Sequence, residues 1–243
     1  MGVIPARYGS SRLPGKPLVD LQGKPLLYHV YQRSLKARTL DRLLIATDDE
    51  RVYRAASEFG APVVMTKKEH RSGTDRIAEA VQDMDADLVI NIQGDEPLID
   101  SEAIDQVVNL LEEDSASVMS TLKAPIENRE DLLNTNVVKV VTDEKGYALY
   151  FSRSPVPYRR DQGIDVARSA VPLGYRHIGL YVYRRDFLFT FTQLPRTPLE
   201  QTEQLEQLRA LEWGYRITVS ETARPTIEID TPEDLRRAEE AMP

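Results

Sequence analysis

Short apolar runs rich in β-branched residues alternate with stretches of helical spacing along the first 146 residues, and this alternation limits the chain to few architectures. Strands are expected over Gly2 to Pro5, Arg42 to Thr47, Pro62 to Thr66, Asp87 to Gln93, Ser117 to Leu122 and Val137 to Thr142. Between them, Leu26 to Lys36, Glu50 to Phe59, Thr74 to Asp83 and Ser101 to Glu113 place apolar residues on one helical face, with Pro25 expected at the first helical position. Strand, helix, strand in repetition gives a parallel sheet, because each helix must carry the chain back across the sheet. After residue 146 the pattern becomes aromatic and alternating, in Tyr147 to Ser152 and His177 to Arg184. The fold class expected is therefore α/β: a mostly parallel sheet flanked by helices, with a smaller antiparallel, aromatic-rich portion laid onto it.

At 243 residues, the chain suits one large α/β domain. Arg159 to Pro172 is the polar, weakly patterned segment expected to be loosest. The first strand is short, with Pro5 close behind the first Met, so a few residues are expected to be missing before it, at a cost to edge stability. Residues are 41% apolar and 29% charged, with no apolar run long enough to span a bilayer and no leader-like N-terminus, so a cytoplasmic protein without membrane insertion is expected. There are no cysteines and three histidines (His29, His70, His177), so any metal is expected to be a hard cation held by carboxylates.

The net charge is -8, yet residues 1 to 38 carry seven cations against the single anion Asp20. A nucleic-acid binder would more often be basic throughout, and a local excess suits a small polyphosphate better than a duplex. Much of that charge lies in Arg7-Tyr8-Gly9-Ser10-Ser11-Arg12-Leu13-Pro14-Gly15-Lys16-Pro17, directly after the first strand. Glycines let backbone approach an anion, and Arg7, Arg12 and Lys16 can neutralise phosphate charge. This is not a Walker loop: five residues separate Gly9 from Gly15 where that motif has four, and Pro17 stands where it has a magnesium-binding hydroxyl. An ordinary strand-to-helix loop is the plainer alternative.

Two acids stand where a cation would be useful. Asp95 follows the buried strand 87–93 in Gly94-Asp95-Glu96-Pro97, and ligands of open parallel sheets collect beyond the carboxyl ends of strands. The same four residues are also good turn chemistry. Asp230 ends a short strand candidate in Thr226-Ile227-Glu228-Ile229-Asp230, just before Thr231, Pro232 and Asp234, which resemble the capping box of a last helix. Capping explains those three residues and leaves Asp230 able to share a cation with Asp95. The Asp-x-Asp patterns at Asp83, Asp85 and Asp87 precede a strand and read as a helix end and polar turn.

Together these segments resemble the 3-deoxy-manno-octulosonate (Kdo) cytidylyltransferases. The resemblance covers nearly the whole chain: Ile4 to Tyr8 with Arg12 to Pro17, Ala46-Thr47-Asp48, Ser72 to Arg76, Gln93 to Pro97, Ala148 to Ser154, His177 to Tyr181, Leu205 to Arg209 and Asp230 to Leu235. It implies a single nucleotidyltransferase domain whose nucleotide-binding sheet lies mainly in residues 1–146, with sugar binding and dimerisation mainly in 147–225. Arg7, Ser10, Arg12 and Lys16 would then hold the phosphates of CTP, and Ser72, Thr74, Arg76 and Gln93 would line the nucleotide site. Asp95 and Asp230 would bind Mg2+. Arg153, Arg160, His177, Tyr181, Glu206 and Gln207 would receive the acidic sugar.

The reaction implied is transfer of CMP from CTP to Kdo, with release of pyrophosphate, for lipopolysaccharide biosynthesis. Arg12, Lys16, Asp95 and Asp230 would be its catalytic residues, and the family suggests a homodimer. A cytidylyltransferase for 8-amino-Kdo or sialic acid, a nucleotide-sugar glycosyltransferase, and a non-catalytic nucleotide-binding module are the alternatives.

Overall fold

In the computed structural model, which describes residues 1–9, 13–158, 160, 172–223 and 227–242, β1 (Gly2–Ala6) lies inside a sheet. It runs parallel to β4 (Leu43–Thr47) on one side and β6 (Leu88–Asn91) on the other. The expected cost at a sheet edge therefore does not arise. Pro5 is tolerated in this central strand for a geometric reason. Val3 accepts from Ile92 N, so residues 3 and 5 turn their peptide groups towards β6, and β6 has ended by the level of Pro5. The donor that proline lacks has no ladder partner to lose.

Parallel pairing continues from β4 to β5 (Val63–Met65). On the other flank, β7 (Met119–Ile126) and β11 (Ile217–Glu221) are parallel to each other, and β10 (Gly174–Arg184) runs antiparallel between β7 and β6. The order is β11-β7-β10-β6-β1-β4-β5, with β8 (Lys139–Thr142) branching from β10 and β9 (Ala148–Ser152) paired to β8. The antiparallel, aromatic-rich portion is thus threaded into the sheet rather than laid upon it. A small hairpin of β2 (Asp20–Leu21) and β3 (Lys24–Pro25) stands apart.

Alternation along the strands divides the core in two. Ile4, Ile45 and Ile90 face α1 (Leu26–Ser34) and α4 (Ser101–Glu113), where Leu27, Val30, Ile104 and Val107 meet them. Val3, Leu44 and Val89 face α3 (Gly73–Ala80), α6 (Arg185–Gln193) and α8 (Gln207–Glu212), packing with Ile77, Phe187, Phe191 and Leu208. Full burial of each such side chain contributes about 1.5–3 kcal/mol, which is why the period of two fixes the register.

Helix starts follow their capping residues. Asp49 accepts from Arg51 N ahead of α2 (Glu50–Glu58), and Asp100 caps α4. Ser72 and Asp75 form a capping box on α3, as do Thr231 and Asp234 on α9 (Pro232–Ala241). Pro25 is the residue before α1 rather than its first turn: its ψ of 141° is extended, because it still closes the β2–β3 hairpin. Asp85 and Asp87 line a cavity with Met1 and Asp41 at the opposite end of the sheet from Asp95, in keeping with a polar turn.

Candidate active site

β1 delivers the chain into the basic loop at the carboxyl edge of the sheet. Arg7 Nη2 donates to the His70 carbonyl at 2.7 Å, which fixes the start of the loop against the segment that leads into α3. Burial lowers the Arg7 pKa, as does neighbouring Arg76, so an anion here would be met by a partly desolvated guanidinium. The loop closes where Gly15 N donates to the Tyr8 carbonyl at 3.0 Å. Gly15 is needed twice over: its φ is +71°, and a Cβ would stand 3.0 Å from the Tyr8 ring. One turn of 3-10 helix, Lys16–Leu18, follows and turns the Lys16 side chain inward.

Lys16 is where the distant segments meet. Its Nζ lies 2.5 Å from Asp95 Oδ2 and 2.8 Å from Asp230 Oδ1. Burial alone would lower its pKa, but the two carboxylates outweigh burial and raise it. Asp95 arrives from the end of β6 through Gly94, whose backbone packs so close to β1 that a Cβ would stand 2.9 Å from the Pro5 carbonyl oxygen. Asp230 does not end a strand, contrary to expectation: residues 227–230 are irregular, and one bond from Ile229 N to the Asp95 carbonyl, 3.0 Å, holds them beside the turn.

Glu228 joins the two aspartates, with ligand oxygens of Asp95, Glu228 and Asp230 all within 4.8 Å of one another. Three oxygen donors of this kind fit a hard divalent cation such as Mg2+, and the ammonium between two of them shows that the position favours positive charge. The sequence reading passed over Glu228. Its spacing of two from Asp230 in an extended stretch was the available signal, since alternate residues share a face.

A cleft of about 430 Å³ opens beside these groups, lined by Arg7, Lys16, Ser72, Gln93, Asp95 and Asp230 among others. The first turn of α3 faces it through Ser72 and Gly73, and a helix N-terminus favours negative charge. Gln93 reaches across to β10, where its Nε2 donates to the Gly179 carbonyl at 2.8 Å. That carbonyl lies within a register shift between Ile178 and Tyr181, the kind of irregularity that re-aims groups near a site. Ser10 and Arg12 lie outside the described residues. Arg76 is not at the cleft wall: it is fully buried, bonded to Asp48 at 2.8 Å and also to Thr66.

The residues expected to receive a sugar are less uniform. His177 and Tyr181 meet on β10 with ring centroids 5.1 Å apart and planes tilted by 41°, and Phe151 meets His177 edge to face. Burial lowers the His177 pKa to about 3, so the ring is neutral near pH 7, with Nε2 2.9 Å from Thr121 Oγ1. Thr74 Oγ1 donates to Glu206 Oε2 at 2.7 Å, joining α3 to the start of α8, and Gln207 is buried next to it. Arg153 spends its guanidinium on the carbonyls of Glu203, Thr135 and Gln204. The fully buried Lys139 in turn holds the Arg153 carbonyl at 2.6 Å. Arg160 is exposed.

Known proteins resemble this chain over nearly its whole length. The cytidylyltransferase family matches residues 1–217. The chain is 54% identical to a 3-deoxy-manno-octulosonate cytidylyltransferase of Syntrophotalea carbinolica, over 98% of this chain and 96% of that one. It is 50% identical to a protein of the same name from Geobacter sulfurreducens, over 99% and 98%. This chain belongs to the 3-deoxy-manno-octulosonate cytidylyltransferases. A solved structure of CMP:2-keto-3-deoxy-manno-octonic acid synthetase complexed with CTP overlays with a TM-score of 0.91 at 43% identity, covering 99% of this chain and 97% of that one. In this cytidylyltransferase, Arg7 and Lys16 from the start of the chain line one cleft with Asp95 and Asp230.

Proposed function

We propose that the protein transfers CMP from CTP to Kdo, forming CMP-Kdo and releasing pyrophosphate for lipopolysaccharide biosynthesis, with Mg2+ as cofactor. The observation that carries this reading is the convergence of Lys16, Asp95 and Asp230 at the carboxyl edge of the sheet, in a chain so similar to named enzymes of this activity. Arg7, Lys16 and the loop residues Ser10 and Arg12 hold the triphosphate, and the amides of the first turn of α3 add their dipole. Ser72 and Gln93 shape the nucleotide side of the cleft, Thr74 is buried against Glu206, and Arg76 acts from behind by fixing Asp48 against α3.

The anomeric hydroxyl of the sugar attacks the α-phosphorus in line, a P–O bond to the sugar forms, the hydroxyl proton passes to water, and the bond to pyrophosphate breaks. The protein's part is orientation and charge compensation. Asp95 and Asp230 would hold Mg2+, with Glu228 adding charge beside them, and the ion supplies electrostatic stabilisation of the phosphate oxygens. Glu206, Gln207, Tyr181 and the neutral His177 form the sugar side, with Arg153 and Arg160 near the carboxylate. Arg153 does so by tying residue 135 to the α7–α8 junction, α7 being Pro198–Glu203.

We assign CTP binding mainly to residues 1–146 and sugar binding mainly to 147–225. The working form proposed is a cytoplasmic homodimer, there being an exposed Leu149 on β9 and an exposed Tyr158 just beyond it to support contact between copies. Pyrophosphate release is measured with each nucleoside triphosphate against Kdo, 8-amino-Kdo and sialic acid. CTP with Kdo is expected to be preferred; equal rates with all four triphosphates, or release of nucleoside diphosphate, would overturn the assignment.

A further inference from the structure

Where α7 meets α8, a buried ion pair stands beside a carboxylate without closing on it. Arg209 donates Nε to Glu200 Oε2 at 2.8 Å and Nη2 to Glu200 Oε1 at 2.6 Å, a two-point fork. Its Nη1 donates to the Phe191 carbonyl at 3.2 Å, and the guanidinium lies 4.6 Å from the centre of the Phe191 ring. Arg196 gives Glu200 a further donor at 3.0 Å. What remains for Glu206 is a contact of 3.4 Å from Arg209 Nη2 to Oε1, longer than a good hydrogen bond.

Burial raises the Glu206 pKa, the Thr74 hydroxyl and the Arg209 charge act against it, and the carboxylate keeps acceptor capacity. An ionised carboxylate has about four acceptor positions, and the strong bond here is the one from Thr74. The Glu206 side chain is partly open, facing a cavity of about 570 Å³ that it lines with Arg71, Ser72, Asp75, Glu200 and Arg209. Arg71 and Ser72 also line the nucleotide cleft, so the two spaces adjoin.

We propose that the Glu200–Arg209 pair is a positioning device that holds Glu206 as an open acceptor for a hydroxyl of the sugar. This rests on the reading of the chain as a sugar cytidylyltransferase. Glu200 is the restraint: without it, the guanidinium is released to close on Glu206 and occupy the lone pairs that the sugar needs. Arg209 is the support: without it, burial and Asp75 act on Glu206 against the hydroxyls of Thr74 and Ser72. Tyr181 and Tyr183 face the carboxylate from β10 and bring no positive charge.

The two roles give substitutions of opposite sign. The Glu206 carboxyl is titrated by 13C NMR without substrates, with Glu206→Gln to assign its resonance. Glu200→Gln is expected to lower its midpoint and Arg209→Gln to raise it. In steady state, Glu200→Gln should raise KM for Kdo on the order of tenfold, the loss of one charge-assisted hydrogen bond, with KM for CTP unchanged. Arg209→Lys keeps the charge without the fork and should fall between wild type and Arg209→Gln, which also covers a poorly folding glutamine variant. A wild type without Kdo turnover would count against the assigned reaction and leave the order of midpoints to be judged by itself. Folded variants that share the wild-type midpoint and KM would overturn the device and leave a merely structural ion pair.

Discussion

The amide of Ile229 donates to the carbonyl of Asp95 at 3.0 Å, and through this bond an acid from the last turn before α9 is set against an acid from the end of β6. The two carboxylates share Lys16. Brought together without positive charge they would repel. Asp95→Asn and Asp230→Asn are each expected to lower kcat on the order of a hundredfold or more, the usual effect of removing preorganised charge at a transition state. Because both serve one position, the double substitution should cost far less than the product of the single losses. Wild-type turnover and magnesium dependence in both single variants, at reduced stability, would reduce the pair to turn chemistry.

Glu228 gives a test that needs no turnover. Its oxygen lies within 4.8 Å of those of both aspartates, so it adds negative charge around any ion they hold. Glu228→Gln should weaken binding of Mg2+ or Mn2+ on the order of tenfold by calorimetry, the size expected when a supporting group at a metal site is removed. The fold should be unaffected, since residues 227–230 are irregular. Unchanged metal affinity would restrict the site to Asp95 and Asp230.

Much of this was legible in the sequence because it is local. The helix at Ser101–Glu113 has the expected bounds, and the capping box at Thr231 and Asp234 is present, since caps and periodicity depend on neighbours in the chain. Strand ends were less legible: β10 begins at Gly174 rather than His177, because pairing with β7 through Ile126 extends it. The insertion of β10 between β7 and β6 depends on long-range pairing that alternation does not encode. In the site, Lys16, Asp95 and Asp230 were legible from their motifs. Glu228 and the restraint of Arg209 by Glu200 were not, because they depend on how separate segments meet.

Gly94 is where packing sets the position of Asp95. A Cβ there would meet the Pro5 carbonyl oxygen at 2.9 Å, and backbone in a central strand cannot yield as a flexible side chain would. Gly94→Ala is expected to destabilise by about 1–3 kcal/mol, as overpacking commonly does, and to lower kcat more than KM for CTP by displacing Asp95. Gly23→Ala is the comparison: Gly23 has open space around it but a φ of +77°, so its cost should be one of backbone strain alone, with turnover kept. Equal kinetic losses in the two variants would show that the close approach at Gly94 has no special role.

His177 should leave its mark on stability as a function of pH. Burial between Phe151 and Tyr181 lowers its pKa to about 3, whereas in the unfolded chain a histidine titrates near 6.5. Between those values the unfolded state binds a proton that the folded state refuses. The neutral ring's contribution is therefore intact above about pH 6.5 and is lost as pH falls towards 3, at no more than about 1.4 kcal/mol per pH unit. His177→Phe keeps an aromatic ring for Phe151 and Tyr181 and removes the titration, and Thr121 Oγ1 still has the Ile178 and Leu180 carbonyls at 2.9 Å. Urea unfolding between pH 4.5 and 6.5 reads the difference, in a window above the range where Asp49, with a pKa of about 2, takes up its proton. The wild type should lose stability across this window more steeply than His177→Phe. If the two curves run parallel, His177 accepts a proton in the folded protein, and the neutral ring assigned to the sugar side of the site is wrong.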